Sequence, residues 1–505
     1  MNFVRQQDGP FRSIAVLLAA VFMVAVTAAP AAAATPSVTL TPNIGPPTTY
    51  LTVSGSGFPD STAVNIYFDL TDLALVVTSS TGTFSAISIQ VPNSAVPGTH
   101  YVSAVAEGTS GTAAQASYTV QANWAQFHFS AEHKGRNPYE NVLNSTNVAA
   151  IDLDWTYTTG GALTSSPAIS GGTVYVGSAD DYLYAINATT GALVWKFKTG
   201  NSIIDSSPAV VNGTVYVGST DDYLYAVNAT TGAQIWKFKT GGAINSSPAV
   251  VNGTVYIGST DDSVYAVNAT TGAQNWKFAT GGEVLSSPAI ANGVVYVGSY
   301  DEYVYAIKDN GTSGTQLWKY STGGKVFSSP AVSEGLVYVG SEVGSVFGIV
   351  SDTGVDQWKY TPTGTAYGFD SSPAVFGGDL YIGSDDGYFD ALTSRGGAYV
   401  WDVASASAVE VGSPCIANGI EYVGIGDNVY AIEQIVTADI LWAADTGALV
   451  TATPTVVNGQ LFIASQDFNL YAYDLNGSTQ VKKAPARPKP ASLRPDPTLV
   501  PVQSE

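Results

Sequence analysis

The chain repeats a unit of about 40 residues along most of its length. Residues 206–240 and 246–280 differ at only five of 35 positions. A proline in a Ser-Ser-Pro-Ala-like element recurs eight times, at steps of 40 to 43 residues. A period near 40 with four strand-like pieces in each unit is typical of a β-propeller blade. The prolines are Pro167, Pro208, Pro248, Pro288, Pro330, Pro373, Pro414 and Pro454.

A tryptophan series with the same period predicts how the ring closes. Eight tryptophans recur at similar steps, but the first, Trp155, precedes the first proline, and the last unit contains none. The segment around Trp155 is therefore expected to supply the outer strand of the eighth blade. We predict an all-β fold: an eight-bladed β-propeller closed by an N-terminal outer strand and preceded by a small β-sandwich.

Composition excludes several classes of function. The chain of 505 residues has a net charge of −21, and phosphate contacts need Lys and Arg, so a nucleic-acid partner is not expected. The single cysteine, Cys415, rules out an intramolecular disulfide. Because it lies in the apolar run "SPCIANG", a buried and inert thiol is expected.

The two ends of the chain carry different signals. Arg5 and Arg12 precede the apolar run "SIAVLLAAVFMVAVTAAPAAAA", which predicts a signal peptide over residues 1–34 and a mature start near Thr35. An uncleaved anchor helix is the alternative. After cleavage no membrane span is expected, so we predict a monomer that is secreted or exposed at the cell surface. Residues 476–505 are rich in Pro, Lys and Arg, and predict a disordered tail.

Residues 35–122 form short alternating strands separated by Gly, Pro and Asn clusters. Such spacing predicts a small immunoglobulin-like β-sandwich. The stretches "GPPTTYLTVSGSGFPDSTAVNIYFD" and "VPNSAVPGTHYVSAVA" resemble IPT/TIG and related bacterial immunoglobulin-like modules. The resemblance implies a spacer or an adhesion unit.

Residues 123–475 resemble propellers of the pyrroloquinoline-quinone (PQQ) type. The stretch "AINATTGALVW" (185–195) matches their docking motif Ala-x-Asp-x-x-Thr-Gly-x-x-x-Trp, except that Asn187 replaces the Asp. The lead-in, residues 123–155, also resembles that family. The resemblance implies that each tryptophan packs against the turn of the next blade. These tryptophans are Trp155, Trp195, Trp236, Trp276, Trp318, Trp358, Trp401 and Trp442.

The resemblance leaves several functions open. The family includes dehydrogenases that bind PQQ and Ca²⁺ at the ring centre, and cofactor-free propellers such as the lipoprotein of the outer-membrane barrel-assembly machinery. No ligand set or catalytic base of the enzymes maps onto this chain, and the ninth tryptophan, Trp124, lies in the lead-in. We therefore predict an exported, non-enzymatic binding or scaffold protein with no cofactor, and an extracytoplasmic protein or glycan as its partner.

Two alternatives remain. One is a PQQ- and calcium-dependent quinoprotein dehydrogenase that oxidises alcohols or sugars, and the other is a cell-surface carbohydrate-binding or adhesion module. A central cluster of Glu, Asn and Asp with a basic residue would favour the enzyme. An empty or plugged channel would favour the scaffold.

Acidic residues recur between the second and third strands of the units, as pairs such as Asp180-Asp181 and Asp385-Asp386. They suit tight turns, and their recurrence also suggests an anionic face that attracts cations or a basic partner. The candidate residues of this face are Asp181, Asp222, Asp262, Glu302 and Asp386.

Specificity is expected where the repeat breaks, because near-identical blades offer the same surface. The longest break, "WKYTPTGTAYGFDSSP", contains Tyr360, Tyr367 and Phe369. These aromatics suit either recognition or packing. His128 and His133, in "FHFSAEH", have weak metal-ligand spacing, and we expect them to be surface residues rather than ligands.

Overall fold

The computed structural model describes residues 35–108, 112–363, 367–405, 410–433 and 438–476. The predicted signal peptide, and the predicted tail beyond Asn476, lie outside the described residues. The chain divides into two compact units, with the boundary between Ala122 and Asn123. One short 3-10 helix, Val148–Ala150, accompanies the described strands, so the predicted all-β fold is confirmed.

Two sheets in the first unit enclose a single apolar core. Alternation places Val64, Ile66 and Phe68 inside, on one face of their strand. The strand Thr71–Val77 lies at the edge of the larger sheet and was not expected from the sequence. Immunoglobulin-like kinship stays a prediction. The smaller sheet contains Ser37–Thr41, Tyr50–Ser56 and Phe84–Gln90, and the larger contains Ile44–Gly45, Ala113–Val120, Gly98–Ala106, Ala63–Phe68 and Thr71–Val77.

The described residues of the second unit contain eight sheets, each with four antiparallel strands, and the short strand Arg136–Asn137 pairs in parallel with the inner strand of one of them. Second and third strands such as "TVYVG" are buried on both faces, so they are continuously apolar. Outer strands such as "QIWKFK" alternate, because only one of their faces packs inward.

Blades 1 to 8 are numbered in chain order, each with an inner, a second, a third and an outer strand. The strands of blades 1 to 4 are Ala168–Ser170, Thr173–Gly177, Tyr182–Asn187 and Leu193–Lys198; Ala209–Val211, Thr214–Gly218, Tyr223–Asn228 and Gln234–Lys239; Ala249–Val251, Thr254–Ser259, Ser263–Asn268 and Gln274–Ala279; and Ala289–Ala291, Val294–Gly298, Tyr303–Asp309 and Gly314–Ser321.

Blades 5 to 8 follow the same order. Their strands are Ala331–Ser333, Leu336–Ser341, Ser345–Val350 and Asp356–Tyr360; Ala374–Phe376, Asp379–Gly383, Tyr388–Thr393 and Tyr399–Ala404; Cys415–Ala417, Ile420–Ile425, Asn428–Glu433 and Asp439–Asp445; and Thr455–Val457, Gln460–Ala464 and Asn469–Asp474, with Asp152–Thr158 as the outer strand of blade 8.

The last blade joins the two ends of the propeller. Strand Asp152–Thr158 pairs antiparallel with Asn469–Asp474, and Trp155 lies opposite Ala472 beside a β-bulge. The predicted split blade is therefore present. Blade 8 contacts blade 1, so each of the eight described blades packs between two neighbours.

Tryptophans of the outer strands link each blade to the next. Trp236 illustrates this, because its Nε1–H donates to the carbonyl oxygen of Ala269 in blade 3 at 3.0 Å. The indole ring covers Gly272, where an added Cβ would lie 2.7 Å from the ring. A glycine with positive φ is thus needed both for the turn and for ring contact. Nε1 donors to the next blade also come from Trp155, Trp195, Trp276, Trp318, Trp358 and Trp442.

We predict that Gly272→Ala destabilises the propeller more than Gly253→Ala. Both glycines have positive φ, 71° and 78°, so the backbone strain of about 1 kcal/mol is shared. At Gly253 an added Cβ meets no atom within 4 Å, whereas at Gly272 it displaces Trp236. Thermal unfolding should show a further loss of about 1 to 3 kcal/mol for Gly272→Ala. Equal midpoints would contradict this role of the tryptophan.

Candidate functional site

The second serine of each Ser-Ser-Pro element faces the central channel. Its Oγ accepts a hydrogen bond from the matching N–H of the preceding blade, as in Ser207 N–H to Ser247 Oγ at 2.9 Å. Thr453 N–H donates to Ser166 Oγ at 2.9 Å and carries the series across the closure. We call these residues the hydroxyl ring: Ser166, Ser207, Ser247, Ser287, Ser329, Ser372, Ser413 and Thr453.

The first serine of the same element also joins blades. Ser206 Oγ accepts from Gly218 N–H at 2.9 Å and donates to the carbonyl oxygen of Ser246 in the next blade at 3.0 Å. Ser206 and Ser246 are both 0% exposed, and a buried polar group without a hydrogen-bond partner lowers stability. The serines therefore serve the fold, and the repeated element by itself indicates no chemistry.

A segment of the lead-in occupies the channel beside every inner strand. We call residues 124–137 the plug. Trp124 pairs with Ile169 of blade 1, and the chain then passes blades 2 to 7 in order until Asn137 Nδ2 donates to the carbonyl oxygen of Val456 in blade 8 at 2.9 Å. The inner-strand N–H groups that donate to the plug are those of Ile169, Val210, Val250, Ile290, Val332, Val375 and Ile416.

The plug buries both histidines of "FHFSAEH". His128 and His133 are 0% and 1% exposed, so the expectation of surface histidines was wrong. Burial lowers the pKa of His128 to about 4 and that of His133 to about 3, so both are neutral at physiological pH. The sequence signal was misleading because polar residues usually mark exposed loops, whereas here the loop fills a channel. Both rings pack against Phe127.

A cavity of about 120 Å³ lies between the plug and the hydroxyl ring, and Phe127 contributes to its lining. The residue just before each Ser-Ser-Pro element also faces it. These residues differ between blades, unlike the serines beside them, so the cavity is the part of the channel where the repeat diverges. They include Thr164, Asp205, Asn245, Leu285, Phe327 and Asp370.

Asp205, Asp370 and Glu410 line this cavity, and Glu342 and Asp385 interact electrostatically with Asp370. The pKa of Asp370 is raised to about 6, first by burial and then by the charges of Glu342 and Glu410, while Lys325 opposes the rise. The pKa of Asp385 is raised to about 7, again first by burial and then by Asp370 and Glu410. Neighbouring carboxylates disfavour each other's ionisation, so these two pKa values indicate negative charges that lie close together without enough positive charge to balance them.

Two further acids extend the cluster. Burial raises the pKa of Asp205, which the Thr164 hydroxyl and the Asn245 amide partly offset. Burial and the charge of Asp205 raise the pKa of Glu410. Lys325 Nζ lies 4.5 Å from the ring centroid of Tyr300. We call Asp205, Glu342, Asp370, Asp385 and Glu410 the acidic mouth.

The recurring acid pairs lie instead in the turns between second and third strands. In blade 2 the first acid, Asp221, accepts from Gly200 N–H at 2.7 Å and from the Tyr225 hydroxyl at 2.5 Å. It thus ties its turn to the connection from blade 1. The second acid of a pair occupies a left-handed turn position. Positive φ values are found at Asp181, Asp222, Asp262 and Glu302.

The pair in blade 6 has a different register from the others. Gly387, and not Asp386, occupies the left-handed position, with φ 88°. Asp386 therefore takes the place of the first acid and accepts from Ser384 Oγ at 2.5 Å. Asp385 moves to the position before the first acid, where the charges of Asp370 and Glu410 raise its pKa. Asp386 therefore does not share the left-handed turn position of Asp181, and the anionic face itself stays a prediction.

The predicted recognition loop is mostly core. Tyr360 and Phe369 are 2% and 0% exposed and pack in one apolar cluster. Tyr367 is 44% exposed and is the aromatic of the three that a partner could contact. Cys415 is buried, as predicted, and burial raises its pKa well above the ordinary value.

The channel does not fit a quinone. The cavity has about 120 Å³, and Phe127 of the plug lies on one side of it; a cavity of about 150 Å³ holds benzene, and a three-ring quinone is much larger than benzene. Glu410, Asn245 and Asp205 with nearby Lys325 match the chemistry expected of a quinoprotein centre, but no room for the ring system accompanies them. Within the described ranges no three His, Cys, Asp or Glu residues converge as metal ligands.

Comparison with known proteins agrees with the propeller. The family described as outer membrane protein assembly factor BamB matches residues 144–239, 220–384 and 310–484. The chain belongs to this family. No curated protein matched the sequence.

Solved structures show the same fold at low identity. BamB from Moraxella catarrhalis has a TM-score of 0.56 and 16% identity, covering 64% of this chain and 99% of its own. Quinohemoprotein alcohol dehydrogenase from Comamonas testosteroni has a TM-score of 0.62 and 14% identity, covering 72% of this chain and 82% of its own. A europium-containing methanol dehydrogenase has a TM-score of 0.60 and 14% identity, covering 70% of this chain and 98% of its own.

Sequence reasoning missed the acidic mouth, although a signal was present. Asp205 and Asp370 occupy the same place in their units as Thr164 and Leu285. Aligning the units on Ser-Ser-Pro and asking which position changes charge would have found them. The plug carried no such signal, since residues 124–137 neither repeat nor alternate.

We predict that Asp370→Asn stabilises the protein at pH 8 and not at pH 4. The folded pKa of about 6 lies above the ordinary 3.8, so ionisation costs stability progressively from pH 4 to 6 and fully above. The gain at pH 8 should be at most about 3 kcal/mol, because each pKa unit corresponds to about 1.4 kcal/mol. Thermal unfolding across pH 4–8 measures it, with exposed Asp439→Asn as the control. A gain that does not change with pH would contradict the buried-charge explanation.

Proposed function

We propose that the chain is an exported, non-enzymatic scaffold that binds an extracytoplasmic polypeptide. The observation that carries this proposal is the plug. Its hydrogen bonds to all eight inner strands use the channel for structure, in the place where quinoprotein enzymes would need a cofactor. A small acidic cavity remains, and its size suits a side chain rather than a three-ring cofactor.

Family membership supports a protein partner. The matching family is described as an outer membrane protein assembly factor, and assembly depends on protein contacts. A propeller offers a broad, rigid face built from short turns, which suits docking without catalysis. We propose a monomer that works through this face.

Export is supported by the N-terminal sequence pattern. Two arginines, an apolar run and small residues near Ala34 form a signal peptide pattern. In the part of the chain that the structure describes, no helix is long and apolar enough to cross a membrane. We propose a location outside the cytoplasm, with residues 35–122 acting as a spacer.

We predict that the mature protein neither binds PQQ saturably with Ca²⁺ nor reduces a dye with alcohols or sugars. The plug leaves a cavity of about 120 Å³, which is too small for the three-ring cofactor. Tryptophan quenching during titration measures binding, and dye reduction measures turnover. Saturable binding with turnover would overturn the scaffold proposal. Repeating the titration on Asp205→Asn would then show whether the quinone lies at the acidic mouth.

A further inference from the structure

The carboxylates of the acidic mouth exceed what the blades need. Ala179, Thr220 and Thr260 precede the first turn acid in blades 1 to 3, whereas Glu342 and Asp385 occupy this place in blades 5 and 6. The neutral residues form the same turn hydrogen bond as the acids do. Thr220 N–H donates to the carbonyl oxygen of Ser202, and Asp385 N–H donates to that of Gly368. The charges therefore contribute nothing that the turn requires.

The hydroxyl ring is incomplete at the same cavity. Thr453 lines the cavity and is 1% exposed, and its Oγ1 has no hydrogen-bond partner among the described residues. Every other link from Ser166 to Ser413 has a serine Oγ that accepts from the blade before. A buried hydroxyl without a partner is costly, and a ligand that reaches the cavity would satisfy it.

Asp370 provides a second unfilled position. Its Oδ1 is buried and has no hydrogen-bond partner among the described residues. Both residues line the cavity, so a donor inside it would meet unused acceptors, and a positive charge there would relieve the repulsion between the carboxylates. A neutral donor would provide only the hydrogen bonds, and an anion would provide neither effect.

We propose that the acidic mouth binds the cationic end of a lysine or arginine side chain of the partner polypeptide. The proposal rests on the scaffold function and names the chemistry of its partner. The cavity has about 120 Å³, slightly less than the cavity of about 150 Å³ that holds benzene. It therefore admits only the charged end of one side chain, and the backbone of the partner would stay outside the channel.

An ammonium or guanidinium group explains the site better than a metal ion does. A divalent cation needs several oxygen ligands at about 2.0–2.6 Å, and no such convergence occurs among the described acidic residues. An organic cation needs only hydrogen-bond acceptors at about 2.8 Å spread around it. Asp205, Asp370 and Glu410 provide acceptors from different blades.

The first test titrates the full exported chain with blocked Gly-Lys-Gly and Gly-Arg-Gly peptides. The uncharged control is Gly-norleucine-Gly, which keeps the apolar stem. We expect saturable binding of at least one cationic peptide in calorimetry or NMR, and at least tenfold weaker binding of the norleucine peptide. Equal binding of the three peptides, or no binding of either cationic peptide, would overturn the proposal.

Variants locate the site. Asp370→Asn and Thr453→Val keep side-chain size, and each should weaken the binding of the cationic peptide at least threefold. Asp439→Asn, an exposed change away from the cavity, should leave binding unchanged. Thermal unfolding of each variant confirms folding. Binding that is insensitive to both cavity variants would place the peptide elsewhere and overturn the proposal.

Two more ligands separate the sources of positive charge. Putrescine alone tests a free amine, and Ca²⁺ alone tests a metal site. Tighter binding of either than of the peptides would overturn the polypeptide assignment. If neither the cationic peptides nor PQQ bind, the proposal for the acidic mouth fails and the scaffold function stands. If PQQ binds and supports turnover, the scaffold function fails, whether or not the peptides bind.

Discussion

The inner edge of every blade is the constraint on which the rest of the propeller depends. Each inner strand is only three residues long and would otherwise present unpaired N–H groups to the channel. The plug satisfies these groups blade by blade, from Ile169 to Ile416. The channel therefore serves to hold the ring together. The surfaces left for a binding partner are the cavity beside Phe127 and the outside of the propeller.

Most of the repeated sequence follows from the contacts between blades. Serines of the Ser-Ser-Pro element connect neighbouring inner strands, and the first turn acids hold the connection from the preceding blade. Six of the eight repeat tryptophans cover a glycine of the next blade. Each interaction is small, but each repeats around a closed ring, so no blade is independent of its neighbours. Function must then lie where blades differ, and the differing charges meet at the acidic mouth.

The sequence predicted the propeller and its split blade because period and burial are local patterns. It missed features that depend on distant residues meeting. His128 and His133 look exposed in a polar stretch, yet the ring encloses them. Gly387 shifts the blade 6 turn by one residue, which brings Asp385 within the electrostatic influence of Asp370. Asp205 and Glu410 are 205 residues apart, and only ring closure brings them together.

Hydrogen exchange tests the central claim, that the plug is a permanent part of the ring. The inner-strand N–H groups that donate to the plug should exchange as slowly as those of the second strands of the blades, because they are buried and bonded. Ile290, whose N–H donates to the carbonyl oxygen of Ala131 at 2.7 Å, is the most informative position. Exchange within seconds at these inner-strand positions would contradict the account and return the channel to the list of open binding sites.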